Sequence, residues 1–160
     1  MNAELRTVAN EEFELVVVNN EAEIPNWTDL SGLVEFFHHT MKPYHDSAPD
    51  VRKGLLHAMG TGQLSRGFLV LARCRASGKL VGGLTMLDTG MGGFVPENLL
   101  LFVAVDPTLR GKGLGKQIID LAISKANGAV KLHVEKENPA RRLYNRLGFT
   151  EKYVEMRFAR

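Results

Sequence analysis

The sequence predicts an α/β domain in which helices cover a mixed β-sheet. Three observations lead to this prediction. Residues 98–105 (NLLLFVAV) are apolar almost throughout, as expected of a central strand covered on both faces. A glycine-rich junction at residues 106–116 follows directly and runs into a helical pattern. Upstream, two apolar segments at residues 67–74 and 79–88 flank Ser77-Gly78, which is typical of a β-hairpin.

The N-terminal half adds one strand and two helices. Residues 13–19 are rich in β-branched side chains and predict a strand. In residues 28–41 apolar side chains recur at helical spacing, and Thr28 or Asp29 is suited to cap the helix. A second short helix is predicted over residues 49–60, before the hairpin.

The C-terminal half alternates helices and strands. The helix predicted at residues 115–127 places Ile118, Ile119 and Ala122 on one side. Pro139 in the first turn and Gly148 at the end delimit a second helix. The predicted order is β-α-α-β-β-β-α-β-α-β, in which the last four elements occupy residues 115–127, 129–137, 138–149 and 150–159.

Composition limits the class of protein. With 160 residues, 44% of them hydrophobic, the chain suits one domain that spans residues 1–160. No apolar run approaches the roughly 20 residues that span a bilayer, and the N-terminus lacks the apolar core of a secretion signal. The single cysteine, Cys74, fits a reducing cytoplasm. A formal charge of +2 does not argue for nucleic acid. We therefore expect a cytoplasmic monomer or homodimer that binds neither nucleic acid nor membrane.

The glycine-rich junction indicates an anion site. Gly111, Gly113 and Gly115 alternate with other residues, among them Lys112, while Arg110 and Lys116 flank the run. The first amides of a helix have no intrahelical partner, and glycines allow an anion to approach them closely. The pattern favours a phosphate or pyrophosphate over a turn with solvated cations. It fits neither G-x-G-x-x-G nor the Walker loop, which leaves a nucleotide-binding domain as a weaker alternative.

Two motifs resemble those of the GNAT superfamily of acyl-CoA N-acyltransferases. Residues 110–115 satisfy the coenzyme A motif [QR]-x-x-G-x-[GA]. The second motif resembles Asn138, Ala140, Leu143-Tyr144 and Gly148-Phe149, although Asn138 lies six residues before the tyrosine where seven is commoner. The two motifs cover residues 99–149, and the predicted order of elements extends the resemblance over almost the whole chain. It implies a GNAT fold with a mixed central sheet that is split near the cofactor site.

The resemblance also implies a site and a reaction. Acetyl-CoA would donate an acetyl group to a primary amine of a small molecule or peptide, in a ternary complex and without a metal. A backbone amide near Val103 or Ala104 would support the oxyanion, and Tyr144 would protonate the leaving thiolate, although this tyrosine also suits a core position. The implied cofactor-binding residues are Val103, Ala104, Val105, Arg110, Gly111, Lys112, Gly113, Leu114, Gly115, Lys116, Asn138 and Tyr144.

The general base is less well defined by the sequence. Many relatives use a carboxylate early in the central strand, where this chain has Leu99. Glu97, two residues earlier and on the same face, is the tentative base, and a solvated loop acid is the alternative. His133 and Glu135 are further candidates, as is bulk water. The missing carboxylate also fits a non-catalytic acyl-CoA-binding sensor on the same fold.

The sequence gives weaker support to two other kinds of site, a cysteine nucleophile and a metal centre. Cys74 at the end of an apolar strand suits a buried structural cysteine better than an acyl-enzyme nucleophile. The histidines near residue 40 lack a helical i, i+4 ligand pair, so no metal site is predicted. Tyr44, Asp46 and Asp50 are candidates to receive a cationic amine, and the acceptor is not identified.

Overall fold

A mixed six-stranded sheet in the order β1-β2-β3-β4-β5-β6 forms the centre of the fold. The computed structural model describes residues 3–60 and 67–160. All neighbouring strands are antiparallel except β5 and β6, which are parallel. The strands are β1 (Ala3–Val8), β2 (Glu11–Val18), β3 (Gly67–Cys74), β4 (Leu80–Asp88), β5 (Asn98–Val105) and β6 (Val130–Leu132).

Helices cover both faces of this sheet, which confirms the predicted α/β class. They are α1 (Leu30–Thr40), α2 (Ala48–Met59), α3 (Leu114–Lys125) and α4 (Arg141–Arg146). Leu69 and Leu71 of β3 belong to the core shared with α1 and α2, whereas Val70 and Ala72 belong to the core shared with α3 and Tyr144. This alternation follows from the two-residue period of a strand. In the described part of the chain, no helix is long and apolar enough to cross a membrane.

A β-bulge in β5 changes which face its side chains reach. Thr85 of β4 pairs with Phe102, but the next residue, Met86, pairs with Leu100, so Leu101 is an extra residue. As a result Leu100 packs on the α3 side, while Leu101 and Phe102 both pack on the α1 and α2 side. The bulge was not visible in the uniformly apolar sequence of β5.

The sheet is split between β5 and β6. Their parallel pairing covers only Asn98–Leu100 of β5, opposite Val130–Leu132. Beyond Leu100, no strand in the described ranges pairs with this side of β5. The predicted split of the sheet is therefore present, and it lies beside the glycine-rich junction.

The predicted order of helices and strands along the chain was wrong at both ends. Residues 150–159 form no strand, because an alternating segment needs a neighbouring strand to supply hydrogen bonds, and none pairs with it in the described ranges. The strand predicted at residues 129–137 is limited to β6. An unpredicted β1 is joined to β2 by Ala9-Asn10, whose φ values of 49° and 66° suit a tight hairpin turn without glycine.

Two glycines of β4 allow helices on opposite faces to approach the sheet closely. A Cβ atom at Gly82 would lie 2.5 Å from Cδ1 of Ile118 in α3. A Cβ atom at Gly83 would lie 2.7 Å from Cζ of Phe37 in α1. Both distances are shorter than van der Waals contact, so the absence of side chains at these positions sets the spacing between the layers.

We predict that Gly83→Ala lowers the free energy of unfolding by about 1–3 kcal/mol, because the new methyl group overpacks the buried ring of Phe37. Phe37→Leu alone also destabilises by leaving a cavity. In the double variant the smaller side chain makes room for the methyl group, so the two losses should be less than additive. Urea denaturation of all four proteins checks this, and additive losses would contradict the contact.

Candidate active site

Backbone groups of β5 line the gap between β5 and β6. The amide of Asp106 donates to the carbonyl of Val81 at 2.8 Å, so Asp106 and, by alternation, Ala104 direct their polar groups toward β4. Val103 and Val105 therefore direct theirs into the gap. The guanidinium Nε of Arg110 donates to the carbonyl of Val105 at 3.1 Å from that side.

The resemblance assigns Val103, Ala104 and Val105 alike to cofactor binding, but their backbone groups point in different directions. The amide of Val103 is available to a group in the gap, whereas the amide of Ala104 belongs to the ladder with β4. The expectation that Ala104 supports the oxyanion is thus corrected by the direction of its backbone. No pattern in the sequence distinguishes these neighbours.

The glycine-rich junction, residues 110–116, presents open amides at the start of α3. Gly111 and Gly113 have φ values of 75° and 98°, which suit glycine. Gly113 precedes α3 without a side-chain cap, and the first helical bond runs from the amide of Gln117 to its carbonyl at 3.2 Å. Within residues 3–60 and 67–160, no carbonyl or side chain accepts from the amides of residues 111–116. These amides and the helix dipole form a suitable cradle for a phosphate.

The three cations of the junction have different roles. The terminal nitrogen of Arg110 donates to the carbonyl of Thr40 at 2.6 Å, so this side chain links the end of α1 to the end of β5. Lys116 forms an ion pair with Asp120 one turn along α3. Lys112 is exposed and has no ion-pair partner in the described part of the chain. Two of the three cations at the junction, Arg110 and Lys116, thus have partners within the protein.

The two sequence motifs converge at Gly115. A Cβ atom there would lie 3.4 Å from Cδ2 of Leu143 in α4 and 3.6 Å from Cγ2 of Val105 in β5. The start of α3, the end of β5 and α4 thus meet at one point. A methyl group at this position would therefore make ordinary van der Waals contact with both neighbours.

Tyr144 belongs to α4 and to the core beneath it. Tyr144 is 8% exposed, and its ring packs edge-on against that of Phe149, with 5.9 Å between the ring centroids. Burial raises the pKa of Tyr144 from 10.0 to about 12. Its phenolic oxygen makes no hydrogen bond to the residues that the structure describes, and it is not among their fully buried, unpartnered polar atoms. The hydroxyl is thus protonated at neutral pH and free to donate.

Asn138 orders the start of α4. Its side-chain oxygen accepts from the amide of Ala140 at 2.9 Å, as in an Asx turn. The contact holds the turn that leads to Tyr144.

The carboxylate of Glu97 is hydrogen-bonded within the protein. Its carboxylate accepts from the amide of Ala129 at 2.8 Å, and Gly128 leaves the space that this contact needs. Hydrogen bonds from its own amide and from that of Ala129 lower the pKa of Glu97. The carboxylate therefore connects the start of β5 to the start of β6, which argues against the tentative assignment as base.

Tyr44 makes a contact that sequence reasoning missed. In the loop after α1, its hydroxyl donates to the carbonyl of Glu137 at 3.1 Å, just before α4. The loop after α1 thus contacts the segment that lies between β6 and α4. These residues lie 93 positions apart, so no local pattern could have paired them.

The remaining candidate residues belong to three other parts of the fold. His133 and Glu135 are exposed after β6. Cys74 is buried at the end of β3, two strands from β5, and hydrogen bonds from Ser77 lower its pKa. The rings of His38 and His45 pack edge-on at 5.0 Å, and no group of three potential metal ligands occurs in the described ranges.

Comparison with known proteins defines the class. Residues 65–151 match the family model described as "Acetyltransferase (GNAT) domain", which is more than half of the chain. The chain therefore belongs to the GNAT acetyltransferase family, whose members use acetyl-CoA as the acyl donor. No curated protein matches it by sequence.

Solved structures of acetyltransferases share the fold. The chain is similar to the aminoglycoside N-acetyltransferase AAC(6')-Iy in complex with CoA, with a TM-score of 0.63, 15% identity, and coverage of 100% of this chain and 97% of that one. A soil metagenomic aminoglycoside acetyltransferase in complex with sisomicin has a TM-score of 0.60 and 18% identity, covering 92% and 95%. The ribosomal-protein-alanine N-acetyltransferase from Brucella melitensis has a TM-score of 0.61 and 16% identity, covering 92% and 98%.

The raised pKa of Tyr144 predicts an alkaline loss of stability. Above pH 10 the unfolded chain releases the phenolic proton, while the folded protein keeps it until about pH 12. The free energy of unfolding should therefore fall across this window by about 2–3 kcal/mol more than in Tyr144→Phe. Urea titrations at increasing pH check the difference. Tyr153→Phe, at an exposed position, should behave like the parent, and equal pH profiles for all three would contradict the shift.

Proposed function

We propose that this GNAT protein is an N-acetyltransferase that moves an acetyl group from acetyl-CoA to a primary amine by direct attack in a ternary complex. The observation that supports it is the convergence, at the split in the sheet, of three features. They are the open amides of residues 111–116, the gap-facing backbone of Val103 and Val105, and the hydroxyl of the buried residue Tyr144.

The glycine-rich junction would bind the pyrophosphate of coenzyme A. The amides at the start of α3 supply donors that have no protein acceptor, and Gly111 has open space within 4 Å of the position of a Cβ atom. Lys112 adds an exposed positive charge. Arg110 contributes indirectly, because its contacts with Thr40 and Val105 position the junction.

The unpaired edge of β5 would bind the pantetheine arm. An extended chain with amide groups can add to a strand edge through main-chain hydrogen bonds, and Val103 and Val105 present such groups in the gap. The amide of Val103 would then donate to the thioester carbonyl and stabilise the negative charge that develops on its oxygen. This assignment uses Val103 in preference to Ala104.

Tyr144 would act as the general acid. As the nitrogen–carbon bond forms and the carbon–sulfur bond breaks, the phenol gives its proton to the sulfur, which leaves as a thiol. Burial that raises its pKa to about 12 keeps this group protonated until the thiolate develops. Free coenzyme A and the N-acetylated amine are the products.

Solvent water would remove the proton of the amine. Glu97 is engaged with Ala129 and lies six residues before Val103, about 20 Å along an extended strand. We therefore assign Glu97 to the structure of the β5–β6 edge. Acceptor amines with low pKa values would react best, because a larger fraction is unprotonated at neutral pH.

The acceptor would enter beside the loop that carries Tyr44. This loop and the segment before α4 meet through the hydrogen bond to Glu137, at the open side of the gap. Similar structures include acetyltransferases for aminoglycosides and for a ribosomal protein, so a small molecule and a peptide N-terminus are both tested as acceptors. Release of free thiol with each amine identifies the class.

Gly111→Ala should weaken acetyl-CoA binding by about tenfold or more, because its methyl group enters the space next to the open amides. Isothermal titration with acetyl-CoA measures this change. Gly78→Ala is the matched control. Gly78 also has a positive φ, 70° against 75°, and open surroundings, but it lies in the β3–β4 turn.

Both substitutions place a side chain in the left-handed region and should cost about 1–2 kcal/mol of stability. Only Gly111→Ala should change the dissociation constant. Equal dissociation constants for the two variants would contradict the pyrophosphate assignment, and a preference for ATP or NAD in the parent protein would favour the nucleotide alternative.

Tyr144→Phe should lower kcat by about a hundredfold while changing acetyl-CoA affinity little, because it removes only the donated proton. Thiol release with the best amine gives kcat, and titration gives the affinity. Tyr153→Phe serves as the control, since its side chain is exposed. Equal losses in turnover and affinity would assign Tyr144 a packing role instead.

A further inference from the structure

The loop between α1 and α2 is held at both of its ends. At its start, the guanidinium of Arg110 donates to the carbonyl of Thr40 at 2.6 Å. At its end, Nδ1 of His38 is hydrogen-bonded to the carbonyl of Asp46 at 2.9 Å. Because both ends are fixed to α1 or to the end of β5, the half-buried side chain of Tyr44 is presented from a defined position.

The hydroxyl of Tyr44 connects this loop to the other side of the gap. It donates to the carbonyl of Glu137 at 3.1 Å, in the segment between β6 and α4. Among the residues that the structure describes, no other hydrogen bond joins the loop between α1 and α2 to that segment or to α4. A single hydroxyl group therefore carries the polar connection across the gap.

The carbonyl that Tyr44 holds lies directly before the turn that leads to Tyr144. The side-chain oxygen of Asn138 accepts from the amide of Ala140 at 2.9 Å, and the carbonyl of Ala140 accepts from the amide of Tyr144 at 3.1 Å. Since α4 has only six residues, about 9 Å of helix, its own hydrogen bonds do not fix its direction. The position of Glu137 therefore influences how α4 is placed.

The role proposed for Tyr144 is sensitive to such a placement. The acid belongs to α4, whereas the acyl donor would lie on β5, and these two sides are not paired beyond Leu100. The side chain of Leu143 packs beside Gly115 and holds the middle of α4, while Tyr44 holds the segment before it. A misplacement of a reacting group by about 1 Å can cost up to about a hundredfold in rate.

We propose that Tyr44 is a positioning residue, which through Glu137 and the following turn sets the place of the Tyr144 hydroxyl relative to the acyl donor. The inference rests on the proposed function, in which Tyr144 is the general acid and the acceptor enters beside the loop that carries Tyr44. An acceptor that orders this loop also orders the start of α4. Binding of the amine and protonation of the leaving thiol are therefore coupled through one hydrogen bond.

The first test compares Tyr44→Phe with the parent protein by thiol release from acetyl-CoA with the best amine. The substitution removes only the hydroxyl group, so kcat should fall by about tenfold, while the KM for the amine and the affinity for acetyl-CoA change little. Tyr153→Phe is the matched control and should keep the parent kcat, because Tyr153 is 85% exposed. A loss confined to the KM for the amine would overturn the proposal and make Tyr44 an acceptor contact.

The second test adds Tyr44→Phe to Tyr144→Phe. A residue that acts only through the acid has nothing left to position once the phenol is removed. The second substitution should therefore lower kcat by no more than about twofold, which is close to the error of additivity. Losses that multiply in the double variant would overturn the proposal, because Tyr44 would then act independently of Tyr144.

Hydrogen exchange gives a readout that requires no turnover. The amides of Ala140 and Tyr144 should exchange faster in Tyr44→Phe than in the parent or in Tyr153→Phe, because both are bonded within the turn and helix that Tyr44 holds. Unchanged protection would overturn the proposal. A parent protein that releases no thiol with any amine would overturn the proposed function and this inference together. Thiol release with losses that multiply would overturn the inference alone.

Discussion

The separation of β6 from β5 after three paired residues is the constraint on which the candidate site depends. A buried strand normally satisfies its polar groups on both sides, so an edge that opens inside a domain leaves donors and acceptors in need of partners. Arg110 satisfies the carbonyl of Val105, and the amide of Val103 stays available. An acyl donor with amide groups along its length suits such an edge.

The β-bulge at Leu101 sets which groups are available. Because the extra residue reverses the faces of the strand, Val103 and Val105 pack toward the core of α3 and α4, while Ala104 packs toward α1 and α2. A single irregularity at Leu101 thus decides that Val103 and Val105 pack against the core cluster that contains Tyr144. Rigid elements of this kind position a site more accurately than loops do.

Long-range polar contacts connect the two halves of the domain around the gap. Arg110 joins α1 to the glycine-rich junction, and Tyr44 joins the loop after α1 to the segment before α4. Similar structures keep the fold at 15–18% identity, although their names indicate different acceptors. We infer that these surface connections, rather than the sheet, adapt such a domain to its acceptor.

The sequence by itself determined the α/β class, the four helices, and the glycine-rich junction before α3, because periodicity, capping residues and glycine act locally. It also predicted Tyr144 and Asn138 as site residues through motifs. Only the tertiary structure decided the rest. It turned Val103 but not Ala104 toward the gap, engaged Arg110, Lys116 and Glu97 in other contacts, and left residues 150–159 without a strand partner. These outcomes depend on neighbours that are distant in sequence, and strand pairing and ion pairing form only once the fold brings them together.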